Sequence, residues 1–129
     1  MKEDSFSYKE TYRVRAYEID RNKRMTVPAL VRLMHETAMQ QVVNLKISVW
    51  DLEAHHISWV LIRMHFKIIR LPELGEYITV QTNPSGFEKV FTYRDYLVYD
   101  ADGNLIASAA STWISVSYTH LTLPTNREV

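Results

Sequence analysis

The chain has 129 residues and a mass of 15.2 kDa, which allows one hydrophobic core of ordinary depth and no second one. Its 47% hydrophobic and 23% charged residues are average globular usage, so neither disorder nor a coiled coil is the main architecture. Fifteen basic residues balance fifteen acidic ones, and nothing steers the molecule toward nucleic acid or an anionic membrane surface.

Without cysteine the chain has no disulfide, thiolate metal site or thiol nucleophile. Gly75, Gly86 and Gly103 stand too far apart for a dinucleotide-binding turn or a phosphate-cradling loop, so no cofactor is expected. The charged start Met1-Lys-Glu-Asp-Ser5 leads into no apolar signal region, and no stretch is apolar enough to span a bilayer. A cytoplasmic protein without a membrane span is the expectation.

Phe6, Tyr8, Tyr12, Val14, Ala16 and Glu18 alternate with Ser7, Lys9, Arg13, Arg15 and Tyr17, which predicts a strand from Phe6 to Ile19 with one wet face. Residues 20–25 form a polar loop. Thr26 followed by Pro28 marks a helix start, because the hydroxyl caps free amides and Pro is tolerated in a first turn. Leu30, Val31, Met34, Ala38, Met39, Val42 and Leu45 then recur at three- and four-residue steps, predicting a core-facing helix to about Asn44.

Residues 48–53 allow one further helical turn. From Ile57 to Leu71 a long strand is expected, with Val60, Ile62, Met64, Phe66 and Ile68 on a buried face and Arg63, His65 and Lys67 on a polar one. Tyr77 to Thr82 reads as a short strand, Asn83-Pro-Ser-Gly86 as a turn, and Phe87 to Tyr99 as a second long strand. Asp100-Ala-Asp-Gly103 is a hairpin signal, after which Leu105 to about Ser115 returns as a third. A lone amphipathic helix and four or more long strands make an α+β chain. Its economical solution is a hotdog fold, a long antiparallel curved sheet wrapped around one central helix; a helix lying flat on a sheet fits the same pattern.

Tyr17-Glu-Ile-Asp20, Arg24-Met-Thr-Val-Pro-Ala29, Leu30-Val-Arg-Leu-Met-His-Glu-Thr-Ala38 and Ile57-Ser-Trp-Val-Leu-Ile-Arg63 resemble the N-terminal half of acyl-acyl-carrier-protein thioesterases, particularly the bacterial ones. Gly86 to Asp95 and Ala107 to Trp113 resemble it too, so the likeness covers roughly residues 6 to 114. It implies a parent enzyme that hydrolyses acyl-carrier-protein thioesters to free fatty acids in fatty-acid biosynthesis. Such proteins carry two hotdog repeats, with an Asp-x-Asn-x-His loop and a later Glu in the second. On this reading residues 1–115 are the substrate-binding N-terminal repeat, inactive alone, whose partner is the missing second repeat or a further copy joined through a sheet edge. A complete single-hotdog, homodimeric acyl-CoA thioesterase using Asp20, or a non-catalytic acyl-binding module, stays open. Val116-Ser-Tyr-Thr-His-Leu121 resembles the translation of a sequencing adapter, so 116–129 reads as a non-native tail.

The corresponding loop here is Asp20-Arg-Asn22-Lys-Arg24, with Arg in place of the imidazole that would carry the proton at neutral pH. Asp20 and Asn22 are weak catalytic candidates and are read first as turn residues satisfying their own backbone. Glu36 is a weak candidate base; it sits about 100 degrees from His35 round the helix, so both cannot face one site. His55 and His56 have no further ligand at metal spacing, and no metal is expected. Met25, Met34, Met39, Trp59, Met64 and Trp113 are the candidate lining of an acyl channel, since thioethers and flat rings adapt to a flexible chain. The free amides after Thr26 are where a helix N-terminus would stabilise a thioester oxyanion.

Overall fold

Five extended segments join into one antiparallel sheet in a computed structural model that describes residues 7–44 and 57–117. In chain order these are β1 (Tyr8–Arg13), a 3-10 turn (Ala16–Glu18), α1 (Val27–Asn44), β2 (Ile57–Ile68), β3 (Tyr77–Glu88), β4 (Phe91–Asp100) and β5 (Leu105–Ser117). The strand order is β1-β3-β4-β5-β2, and α1 packs on β3 and β1, the hotdog arrangement expected. The possible helical turn at 48–53 and the pair His55-His56 lie outside the described residues.

The core sits between α1 and the inner face of the sheet. Tyr96, fully buried on β4, pairs with Thr82 on one side and Ala109 on the other, while Val98 pairs with Val80 and Ala107. Small β5 residues thus flank a large ring, which lets the layers interdigitate without a void. From α1 come Ala29, Leu30, Leu33, Met34, Thr37 and Gln41. The helical face therefore differs from the one expected. At 100 degrees per residue, Leu30, Met34, Thr37 and Gln41 share a narrow stripe, whereas Met39 lies opposite Leu30 and is exposed.

Three strand boundaries depart from the pattern for identifiable reasons. β1 stops at Arg13 rather than Ile19, because Glu18 folds back to accept from the Arg15 backbone amide (2.8 Å) and guanidinium (3.1 Å), closing the turn. β3 runs through Asn83-Pro-Ser-Gly86 instead of turning there. A bulge between Pro84 and Gly86 absorbs the missing proline N–H, and the chain reverses at Lys89, whose φ is 58°. β2 ends at Ile68 and carries a bulge between Leu61 and Arg63, which puts Val60 on the face of Arg63 and His65. The expectation of one buried apolar face on β2 is corrected accordingly. Ile62 is 51% and Phe66 42% exposed, because β2 is an edge strand beyond the reach of α1.

Arg70 fastens three strand ends. Its guanidinium donates to both Glu76 carboxylate oxygens and, at 3.2 Å, to Asp100, joining the chain after β2 to that before β3 and to the end of β4. Asp100 also accepts from the amides of Asp102 and Asn104, and Gly103 supplies the positive φ (85°) of the expected hairpin. The Arg70 hydrogen bonds hold the Glu76 carboxyl below its ordinary 4.5, and chiefly the Asn104 amide holds Asp100 below its ordinary 3.8. A carboxyl depressed in the folded state binds protons more readily unfolded, so its stabilisation is present above the unfolded value and lost on acidification. Denaturation midpoints should fall between about pH 5 and about pH 2. The fall should be shallower in Arg70→Met, and equal slopes in the two proteins would contradict this role.

Candidate functional site

Loop 20–25 and the start of α1 are where the sequence places its weak catalytic candidates. The Asp20 carboxylate accepts from the amides of Asn22 (2.8 Å) and Arg24 (3.2 Å), while the Asp20 amide donates to the Arg24 carbonyl. Lys23, with φ 63°, completes the tight turn. Asp20 is thus used by its own backbone, as an Asx-type turn requires. Arg24 donates to the Leu71 carbonyl (3.0 Å) and pairs with Glu73 (3.2 Å), so its guanidinium ties the loop to the segment after β2. Asn22 is exposed, and its backbone amide is the group bonded to Asp20.

The helix N-terminus offers little to an oxyanion. The amides of Met25 and Thr26 donate to the carbonyls of Pro72 and Glu18. Pro28 has no N–H, Ala29 donates to the Thr26 hydroxyl (3.2 Å), and Leu30 to the Thr26 carbonyl (3.1 Å). Only the Val27 amide lacks an acceptor among the described residues. One exposed donor is far from the preorganised pair that stabilises a tetrahedral intermediate. Glu36 lies on the outer side of α1, where it accepts from Gln40 (2.9 Å), remote from loop 20–25 in its bonding.

The polar groups that the structure does bring together lie inside, between the second half of α1 and strands β4 and β5. Arg94 donates to Gln41 (2.6 Å) and Thr82 (3.1 Å) and has no carboxylate partner among the described residues. Burial lowers its pKa from the ordinary value, yet an arginine keeps its proton, and the adjacent C-terminal turn of α1 favours a cation. The Trp113 indole N–H donates to the Ser111 hydroxyl (2.9 Å), which donates to the Arg94 carbonyl (3.0 Å). His35 meets the Trp113 ring edge-on at 5.7 Å, its Nε2 buried and without a hydrogen-bond partner. This group escaped the sequence reading because Thr92, Arg94 and Tyr96 share the inner face with Val98, so no clean apolar alternation marks β4 as lining anything.

The six candidate acyl-contact residues divide. Met25 and Met34 are fully buried in the core, Met64 packs at its margin and Trp113 is half-buried beside His35. Trp59 shares the inner face of β2 with Leu61, Met64 and Phe66 and is 39% exposed. Met39, expected with them, faces away. The structure therefore places Trp59, Met64 and Trp113 on one inner face, Trp113 at the border of α1 and Trp59 beyond it. No group of three or more metal-ligating side chains occurs among the described residues, and none of their helices is long and apolar enough to cross a membrane.

The family model of the acyl-ACP thioesterase N-terminal domain matches residues 5–122. The chain belongs to the acyl-ACP thioesterase family. The oleoyl-acyl carrier protein thioesterase 2, chloroplastic, of Arabidopsis thaliana is 32% identical over 122 residues, covering 89% of this chain and 33% of that protein. An acyl-ACP thioesterase from Bacteroides thetaiotaomicron superposes with a TM-score of 0.88 at 24% identity over 93% of this chain and 49% of the other. The 12:0-ACP thioesterase from Umbellularia californica gives 0.79 at 19% identity, over 88% and 43%. This thioesterase-family chain thus spans about a third of the plant relative and under half of both solved chains.

Two measurements check this geometry. Thr26→Ala should cost about 1 kcal/mol in chemical denaturation, the usual loss when a helix cap is removed. Burial holds the His35 imidazole below its ordinary 6.5, so the unfolded chain takes up the proton first and stability is lost as pH falls through that value. The loss between about pH 7 and about pH 5 should be reduced in His35→Phe, which keeps a ring against Trp113. An unchanged pH profile would show that His35 is not buried as described.

Proposed function

We propose that this chain is the substrate-binding N-terminal hotdog repeat of a cytoplasmic enzyme that hydrolyses acyl-acyl-carrier-protein thioesters to free fatty acids in fatty-acid biosynthesis. A second repeat supplies the catalytic groups. The observation that carries this reading is the state of loop 20–25 within a family-matched fold: Asp20 is spent on two backbone amides, and Arg24, in the imidazole's place, is clamped to Leu71 and Glu73. Asp20 accepts both amides on Oδ1 as a turn residue does, and the Arg24 guanidinium has no lone pair with which to take a proton in the imidazole's place. The open inner face with Trp59, Met64 and Trp113, backed by Met25 and Met34, suits an acyl chain.

The second repeat sits at the free edge of β2, whose twelve residues form an outer strand of the sheet. An edge of that length with exposed Val60, Ile62 and Phe66 invites pairing, so the chain alone self-associates. Residues 116–129 are proposed as non-native, although Val116 and Ser117 pair with Ser58 and Ile57 at the end of β5.

The 129-residue chain should therefore hydrolyse medium- or long-chain acyl-carrier protein negligibly, since losing a general base costs about 100- to 10,000-fold and losing several groups leaves little. Fusion to a family second repeat should restore turnover. Turnover by the chain alone that disappears in Asp20→Ala would replace this reading with the homodimeric acyl-CoA enzyme. Deleting residues 118–129 should shift stability by no more than about 0.5 kcal/mol in denaturant titrations.

A further inference from the structure

Among the described residues, Arg94 carries its charge on the inner face of β4 without an acid beside it. Its Nη1 is spent on the Gln41 side-chain oxygen (2.6 Å) and the Thr82 hydroxyl (3.1 Å), and the titratable group that acts on it is the neutral Tyr96 phenol. Nε and Nη2 have no acceptor among the described residues. Those two nitrogens form the edge of the guanidinium whose parallel N–H groups match a carboxylate bidentately. A cation taken out of water is ordinarily paired, and the end of α1 offsets at most about half a charge. The countercharge is left to a ligand.

The inner face running from Arg94 toward the edge of β2 says what kind of ligand. Arg94 pairs with Ser111 of β5 and Ser111 with Met64 of β2; farther along, Trp113 pairs with Leu61 and Ser115 with Trp59. Ser111 spends its hydroxyl on the Arg94 carbonyl and the Trp113 indole, so it offers a ligand little. Met64, Leu61 and Trp113 are partly buried and Trp59 is exposed, so the track opens at its far end. From Arg94 to Trp59 it crosses two strand spacings, about 9.6 Å, and follows β5 from Ser111 to Ser115, about 13.6 Å. One charge at the inner end of a long thioether and aromatic surface is the complement of an amphipathic monoanion.

We propose that Arg94 anchors the carboxylate of a free fatty acid whose tail lies over Trp113, Leu61 and Trp59. The inference rests on the acyl-binding reading of this face and adds a ligand that is not the substrate. A thioester carbonyl is uncharged, whereas a carboxylate meets the Nε and Nη2 protons together and supplies the missing charge. An acyl chain still joined to its carrier has to enter tail first. The free acid binds the other way round, head inward and tail toward the β2 edge. Held so, it occupies the space of the next acyl group, and the product of hydrolysis becomes a competing ligand.

The probe is dodecanoate below its micellar concentration, titrated calorimetrically into the full 129-residue chain beside dodecanol, which has the tail without the charge. Dodecanoate should bind at least about tenfold more tightly than the alcohol, as a charge-assisted pair requires. That preference should vanish in Arg94→Gln while alcohol binding is kept, and shrink in Arg94→Lys, which has the charge without the fork. Arg63→Gln, on the outer face, should leave it unchanged. With an isotopically labelled carboxyl carbon followed by NMR, bound dodecanoate should titrate at lower pH than the free acid in the wild type and not in Arg94→Gln. Circular dichroism melts show that each variant is folded. Equal binding of acid and alcohol by the wild type overturns the anchor and leaves the acyl-binding reading standing, whereas failure of both ligands to bind overturns both. A preference that survives Arg94→Gln, or falls as far in Arg63→Gln, also overturns the proposal.

Discussion

One helix about 10 Å across cannot cover a sheet whose five strands span about 19 Å. That mismatch governs the molecule. α1 buries the inner faces of β3 and β1 and the margin of β4, where Tyr96, Val80 and Val98 pack against Leu30 and Met34. β2 is left with an inner surface of Met64, Phe66 and Trp59 that α1 does not cover, beside Trp113 of β5, which α1 reaches only through His35. The proposed acyl-binding role rests on that uncovered apolar surface.

The loop before α1 shows how one residue set serves opposite ends. An aspartate two positions before an asparagine suits catalysis when its oxygens are free, and suits a turn when the following amides point at them. Here the amides of Asn22 and Arg24 point at Asp20, and the Arg24 side chain secures the arrangement by reaching Leu71 and Glu73. The loop has become a brace that sets where the helix begins, and the same region binds Met25 and Thr26 through backbone carbonyls.

Much of the architecture was legible in the order of residues. Thr26 and Pro28 mark a helix start because capping and proline tolerance act within one turn, and Asp100 to Gly103 marks a hairpin because its turn needs a local acceptor and a positive φ. The long-range choices were not legible. Nothing near Pro84 says that β3 continues through it, since that continuation depends on β4 pairing across the bulge. Nothing near Ile62 announces a second bulge, and so the face of Val60 was misread. Arg94 reads as a surface cation in any window of sequence; its burial follows from Gln41 and Thr82, which are 53 and 12 positions away. The thioesterase family was legible for a different reason, in that several short segments matched together where no single one would have served.

The extra residue in β2 also acts as a phase boundary. Side chains before it and after it alternate on independent clocks, so Trp59 and Leu61 share a face with Met64 and Phe66 only because one residue is uncounted. Removing Ile62 would merge the two halves into a single alternating strand and leave Trp59 and Leu61 on the inner face, whereas keeping Ile62 and pairing it in a regular ladder would carry them to the outer face, beside Arg63 and His65. The shortened strand would keep its composition, length but for one residue, and backbone pairing. It would also keep the apolar rail that faces inward, so in this family member a deletion at 62 is tolerated by the rail and it is the loss of the bulge with Ile62 retained that would change the surface chemistry.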